Sequence, residues 1–229
     1  MNELEALRAR HSVRRYVDEP MAEGHIAALN LAIDALNEES GLSIQLVTED
    51  PAAFRGSIVG YGMFRGVRNY VALVGPDSPG LDESCGYYGQ RLVLLAQKLG
   101  LNTCWVGMKN FSRKAKCRIG AGQRLALIIA IGVGETQGRA RKSKAIGKVS
   151  NATDKSPDWF VRGVEAALLA PTAMNQQRFS LELTDISASD GRRVVRTRSL
   201  GGPFTKVDLG IVKYNFEVAA GVENFVWGA

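Results

Sequence analysis

The chain has 229 residues, 45% hydrophobic and 23% charged, a balance that excludes a disordered or fibrous protein and can fill the core of one large or two small domains. Its 29 Lys and Arg against 23 Asp and Glu leave a net charge of +6, which favours anionic partners (phosphate cofactors, nucleic acid, acidic membranes) without choosing among them. No apolar run approaches the ~18 residues of a membrane span and the N-terminus is acidic where a secretory leader is basic, so a cytoplasmic protein is expected.

Residues 3–9 predict a short helix leading into Arg10-His11-Ser12-Val13-Arg14. In an extended run, Arg10, Ser12 and Arg14 share one side. Two guanidinium groups and a hydroxyl suit one phosphate; solvated arginines with Ser12 as a helix cap are the plainer alternative. Pro20 resets the backbone, and Ile26, Leu29, Ile33 and Leu36 mark a helix over 21–36. Leu42 to Val47 alternates as a strand and ends at Glu49-Asp50-Pro51. Tyr61-Gly62-Met63-Phe64-Arg65-Gly66 is an aromatic, basic loop, either a substrate wall or an ordinary surface loop. Asn69 to Val74 is a second, apolar strand. Ser84 to Leu99 carries Tyr88, Leu92, Leu95, Ala96 and Leu99 on one stripe, a long buried helix stopped by Gly100.

Arg124 to Gly134 reads as the third strand, and the basic run Arg139 to Lys144 follows it at the rim of the sheet. A polar linker around 151–157 precedes a helix from Trp159 to Leu169, which stops because a residue before proline leaves the helical region. Ala170-Pro171-Thr172-Ala173-Met174-Asn175-Gln176-Gln177 then places three amides and a hydroxyl at a junction of apolar elements. Amides suit a heterocycle edge that both donates and accepts, or a turn that satisfies itself. Phe179 to Leu183 alternates as a strand and Asp208 to Ala220 is helical. Cys85, Cys104 and Cys117 form no CxxC pair and His11 and His25 are the only histidines, so neither disulfides nor a metal centre is expected.

Gly86 to Ala96, continuing through Gly100 to Trp105, matches Gly210 to Ala220, continuing through Gly221 to Trp227. Both are helix-then-strand units with a glycine start, an alanine ten residues on, a glycine turn and a terminal tryptophan. The match suggests two pseudo-symmetric lobes, 1–150 and 151–229, although amphipathic helices followed by glycine look alike in general.

Together these pieces resemble the FMN-dependent nitroreductase family. Arg-His-Ser-x-Arg looks like its phosphate motif, Ala-Pro-Thr-Ala-Met-Asn-Gln-Gln like its proline–hydroxyl–asparagine motif, Gly86 onward like its long core helix, and Ile131-Gly132 with Arg139 and Arg141 like its closing strand and second phosphate contact. The order departs from the family pattern. The proline motif belongs soon after the phosphate motif, where this chain has Ala35-Leu36-Asn37-Glu38, and it appears instead at Pro171. Typical members are homodimers with the flavin in the interface, so the resemblance implies the branch in which one fused chain mimics the dimer and holds one complete site.

The implied fold is α+β, with mixed or antiparallel sheets flanked by helices in two lobes. The implied cofactor residues are Arg10, His11, Ser12, Arg14, Arg139 and Arg141 at the phosphate, Thr103, Cys104, Trp105, Val106 and Gly107 on the strand passing flavin N5, and Pro171, Thr172, Asn175 and Gln177 at the ring or ribityl chain, with Gln176 a weaker candidate. Tyr61, Phe64 and Arg65 are the implied substrate side. The flavin carries the chemistry, with NAD(P)H as donor, a small aromatic or quinone-type acceptor, and no catalytic protein residue. A non-catalytic flavin or nucleotide binder is the alternative. A nucleic-acid binder using Arg139 to Lys148 and Arg192 to Arg198 ranks third, because neither cluster has interleaved aromatics. A small-molecule partner is expected, without nucleic acid or membrane, for a monomeric pseudo-dimer or a homodimer.

Overall fold

The computed structural model describes residues 1–54, 64–107 and 114–228. Helix α1, Glu3–Ala9, starts in a capping box in which Asn2 and Glu5 exchange backbone-to-side-chain hydrogen bonds of 2.9 and 2.8 Å. It ends at Arg10 in extended conformation, so the chain leaves the helix ready to pair with a strand. Helix α2, Glu23–Ser40, outruns the apolar stripe that predicts it and closes at left-handed Gly41. Strand β1, Gln45–Val47, is shorter than the predicted 42–47. The Asn37 side chain explains this, since it bonds both the N–H and the C=O of Ile44 and takes them from a ladder.

Strands β2 (Asn69–Pro76), β3 (Asn102–Val106) and β4 (Gln123–Gly132) join β1 in an antiparallel sheet of order β1-β2-β4-β3. β2 is buried along nearly its whole length, as its unbroken apolar run demands. Helix α3, Leu81–Lys98, packs on this sheet. At the β3 edge the N-terminal segment adds a parallel bridge, Ser12 to Thr103, with the Val13 amide donating to Thr103.

Helix α4 (Asp158–Leu168), strands β5 (Phe179–Ser187) and β6 (Arg193–Ser199), helix α5 (Thr205–Ala220) and strand β7 (Phe225–Trp227) complete the chain. β5 and β6 are antiparallel, and β7 joins β6 in parallel. β6 is absent from the sequence expectations because its arginines read as a charge cluster. In the sheet Val195 is fully buried, Arg196 and Arg198 are exposed, and Arg196 stands opposite Glu182. The Arg192 to Arg198 cluster is therefore the central strand of a folded sheet, paired with β5 and β7, rather than a free basic stretch. An α+β architecture with one antiparallel and one mixed sheet results. One apolar core takes Leu73, Ile129 and Leu92 from one side of residue 150 and Phe160, Phe179 and Phe216 from the other.

The two long helices α3 and α5 touch through glycine. A Cβ at Gly86 would lie 2.0 Å from the Val207 carbonyl oxygen, and one at Gly210 would lie 2.0 Å from that of Glu83. Each glycine thus meets the residue three before the other, a locally two-fold contact. Around it Gln90 donates to Asn215 at 2.9 Å, Tyr87 donates to Glu217 at 2.5 Å, and Lys213 pairs with Glu83. Substitution by alanine at either glycine forces the backbones apart. Gly86→Ala and Gly210→Ala are each expected to cost about 2–3 kcal/mol in urea unfolding, whereas Gly24→Ala, in a helix with open space, should gain up to about 1 kcal/mol.

Candidate active site

The extended segment from Arg10 to Tyr16 buries Val13 and turns Ser12 and Arg14 to the other side. Arg10 is only 3% exposed, and its two terminal guanidinium nitrogens have no hydrogen-bond partner. The same holds for Nε of Arg14 and Nε of Arg141. None of these three, nor Arg139, forms an ion pair among the described residues. Segments 55–63 and 108–113 contain no acid in sequence that could supply one. Burial, then the charge of Arg141, pushes Arg10 down to about 9, and burial pushes Arg141 down to about 10. Buried cations without counter-charge cost several kcal/mol each. Such a group is built for an anion, and a phosphate with several acceptor oxygens fits it.

Next to these arginines opens a mainly apolar cavity, and concave apolar lining with a few polar groups is the usual make of a small-molecule site. Its floor is β3, through Cys104, Trp105, Val106 and Gly107, and its far wall is α5, through Val207, Asp208 and Ile211. A second, more open basin is lined by Arg139, Arg141, Gly138 and Asn175. The two hollows share Ser12, Arg14, Pro171, Thr172 and Met174 as a common wall. Segments distant in sequence, around residues 12, 105, 140, 172 and 208, therefore surround one continuous site. Trp105 Nε1 is also buried without a partner.

The loop after α4 is held by its amides. Asn175 and Gln177 both donate to the Lys142 carbonyl, at 2.8 and 3.0 Å, and Gln177 accepts from the Lys144 amide at 2.8 Å. Gln176 donates to the Pro203 carbonyl and to Asp208, at 2.9 and 2.7 Å. These amides fasten the loop to the basic run and to α5, which is why three of them stand at one junction. Pro171 and Thr172 line both hollows. Met174, Asn175 and Gln177 have φ of 50°, 54° and 45°, a left-handed region that costs non-glycine residues about 1–2 kcal/mol each.

The remaining expected residues are placed less directly. Arg10 stands behind the wall. His11, Thr103 and Gln177 line neither hollow: Thr103 bridges Ser12 and Gln177 is buried. Phe64 lines the cavity, Arg65 is exposed beside Arg15, and Tyr61 lies outside the described residues. The space left by Gly107 is taken by the Phe204 ring, 2.7 Å from where a Cβ would be. Burial pushes the Cys104 thiol up against the opposing pull of Arg14 and Arg10. Among the described residues no helix is long and apolar enough to cross a membrane.

Sequence reasoning missed α5 as a wall. Asp208 accepts from the Ala173 amide at 2.9 Å and from Gln176, and burial raises it to about 6. Among the described residues it is the only acid lining either hollow. A signal was available in the spacing 204, 207, 208, 211, one helical stripe beginning at the helix start.

A family model described as "Putative TM nitroreductase" matches residues 2–220. No curated protein matches. Among solved structures, a putative nitroreductase from Thermotoga maritima aligns over 96% of this chain and 83% of its own, with TM-score 0.64 and 21% identity. A putative NADH dehydrogenase/NAD(P)H nitroreductase from Parabacteroides distasonis aligns over 65% of this chain and 97% of its own (TM-score 0.53, 20% identity). A putative nitroreductase in complex with FMN from Desulfovibrio desulfuricans aligns over 69% and 98% (TM-score 0.50, 20% identity).

The Asp208 carboxyl, raised in the fold, binds its proton more tightly there than in the unfolded chain. Its contribution to stability is full below about pH 4 and is lost as pH rises through about 6. The apo chain is expected to lose up to about 3 kcal/mol more than Asp208→Asn between pH 4 and 7, in paired urea titrations. Arg10→Met removes an unpaired buried charge, and it should raise the melting temperature of the apo chain while abolishing stabilisation by inorganic phosphate.

Proposed function

Because this chain belongs to the nitroreductase family that its residues 2–220 match, we propose that it is an FMN-dependent oxidoreductase using NAD(P)H to reduce a small aromatic or quinone-type acceptor. The observation that carries this reading is the set of buried, unpartnered guanidinium nitrogens on Arg10, Arg14 and Arg141 beside an apolar cavity. Arg10, Ser12, Arg14, Arg139 and Arg141 would hold the phosphate. The β3 residues Cys104 to Gly107 and the Pro171-Thr172 turn would enclose the ring, with Asn175 and Gln177 fixing the turn. When bound, FMN supplies the hydride chemistry, taking hydride from the nicotinamide and giving it to the acceptor. The protein excludes water with Val106, Leu127 and Ile211, and its arginine charge favours the more anionic, reduced form of the cofactor. Phe64 and Met174 offer apolar surface to a planar acceptor, and Tyr61 and Arg65 complete the proposed substrate side.

The reading includes a fused pseudo-dimer with one flavin per chain, divided near residue 150. Both sides of that division contribute to the cavity, as Arg14 and Trp105 from the first and Thr172 and Asp208 from the second. The reciprocal glycine contact supports it, and so does a second hollow. Trp105 with residues 204, 207, 208 and 211 lines the first, while Trp227 with residues 80, 83, 84 and 87 lines the other, a constant offset on the helices. In the second hollow Lys213, Glu83, Glu217 and Tyr87 bond one another, and Trp227 donates to Glu217 at 2.7 Å. On that side the parallel bridge is made by Ser150 to Leu181 of β5, not to β7. Among the described residues no arginine lines that hollow.

Purified chain titrated with FMN should saturate at one flavin per chain, and anaerobic NADH or NADPH should bleach its absorbance. Arg10→Ala combined with Arg14→Ala should weaken FMN at least about 100-fold with the fold retained. Binding without bleaching would leave a flavin binder that does not turn over, and unchanged affinity in the double variant would remove the site.

A further inference from the structure

The N-terminus of α5 carries a carboxylate in a cavity otherwise walled by arginine and apolar groups. Both oxygens of Asp208 are used on one loop: Oδ1 accepts from the Ala173 amide and Oδ2 from Gln176 Nε2. The loop between them contains left-handed Met174 and Asn175. Left-handed conformations at non-glycine residues persist only when their surroundings over-determine them. Asp208 supplies two of the restraints, and the Lys142 carbonyl, accepting from Asn175, supplies a third.

We propose that Asp208 is a positioning residue of the cofactor site, which holds the 173–176 turn in its ring-facing shape only while its carboxylate is ionised. This rests on the flavin reading of the cavity. The reason lies in the hydrogen-bond chemistry of Gln176. Its NH₂ group donates to the Pro203 carbonyl and to Asp208 together. Protonation turns one Asp208 oxygen into a hydroxyl donor that is a much poorer acceptor than a carboxylate oxygen, so one of its two incoming N–H groups loses most of its hydrogen bond. Flipping the Gln176 amide cannot restore the match, because its oxygen would then face the Pro203 oxygen. Protonation therefore releases one end of the turn, and the wall shared by both hollows loosens.

The other charged groups around Asp208 do not replace it. Arg14 and the Cys104 thiol lie on other walls of the cavity, and Arg139 and Arg141 line the adjoining basin. On α3, Glu83 pairs with Lys213 further along α5; on α1, Glu3 accepts from Tyr214. Lys206 on α5 itself, Arg162 and Glu165 on α4, and Arg178 before β5 are exposed. Among the described residues none of these bonds to Asp208. Burial brings its titration to about 6, within reach of mildly acidic conditions.

The test compares FMN affinity from pH 5 to 7.5 in the unaltered chain and in Asp208→Asn, whose amide presents the donor–acceptor pattern of the protonated acid. The FMN phosphate titrates in the same range in both proteins, so the difference between the two profiles reads Asp208. At pH 7.5 the variant should bind about tenfold more weakly, and the gap should close towards pH 5. Superimposable profiles, or a gap of constant size across the range, would overturn the proposal. A second measurement needs no flavin: the Ala173 amide resonance of the unaltered apo chain should titrate near pH 6, and an amide that does not move over pH 5–7.5 would overturn it equally. If the amide titrates but neither protein binds FMN, the flavin reading fails, and with it the cofactor role of Asp208.

Discussion

The approach of two helix backbones at Gly86 and Gly210 is the constraint from which the rest of the molecule follows. A side chain at either position would overlap a carbonyl oxygen, so the helices meet at a distance only glycine permits. α3 carries the four-stranded sheet and, at its edge, the arginine segment. α5 carries the three-stranded sheet and forms the far wall of the cavity. Fixing one helix on the other fixes the gap between β3 and α5, the gap in which the apolar cavity opens. The polar bonds around the glycines, Gln90 to Asn215 and Tyr87 to Glu217, set the register of that contact.

Electrostatics gives the site its direction. Several arginines elsewhere are paired: Arg68 with Asp18 and Glu49, Arg91 with Glu39, Arg124 with Asp77 and Asp82. The guanidinium groups of Arg10, Arg14 and Arg141 lack such partners although they are more withdrawn from water than an unpaired charge tolerates cheaply. Burying these unpaired charges costs stability at one end of the cavity, a cost that an anion there would offset. The other end, lined by Val207, Ile211 and Leu127, makes no comparable demand. A ligand charged at one end and planar and apolar at the other satisfies both.

Much of this was legible in the residues. The short helix over residues 3–9, the apolar runs of β2 and β4, and the stripes of α2 and α3 are local patterns, and each became the expected element. The alternation of Ser12 and Arg14 about buried Val13 was equally readable, because period two is a property of one segment. What could not be read was contact between distant segments. β6 looks like a cluster of positive charge until β5 stands beside it, with Val195 buried between the strand's exposed arginines and the core. The amides of Asn175 and Gln177 seemed suited to a ligand, yet the carbonyl that takes them belongs to Lys142, more than thirty residues earlier. Asp208 looked like an unremarked helix-start acid, and its importance comes from a loop thirty-five residues before it.

Among the described residues five non-glycine positions adopt left-handed backbone, and three of them, Met174, Asn175 and Phe204, line one or other of the two adjoining hollows, with a fourth, Gln177, fastening the same loop. Glycine at those positions would relax the chain locally, yet none of the four is glycine. Their conformational tension is thus concentrated where a guest would be received, while helices and sheets elsewhere rest near their minima. Backbone conformations that cost energy in the empty chain are thus grouped at the rim of the hollows, where an occupant could be held by a preset surface.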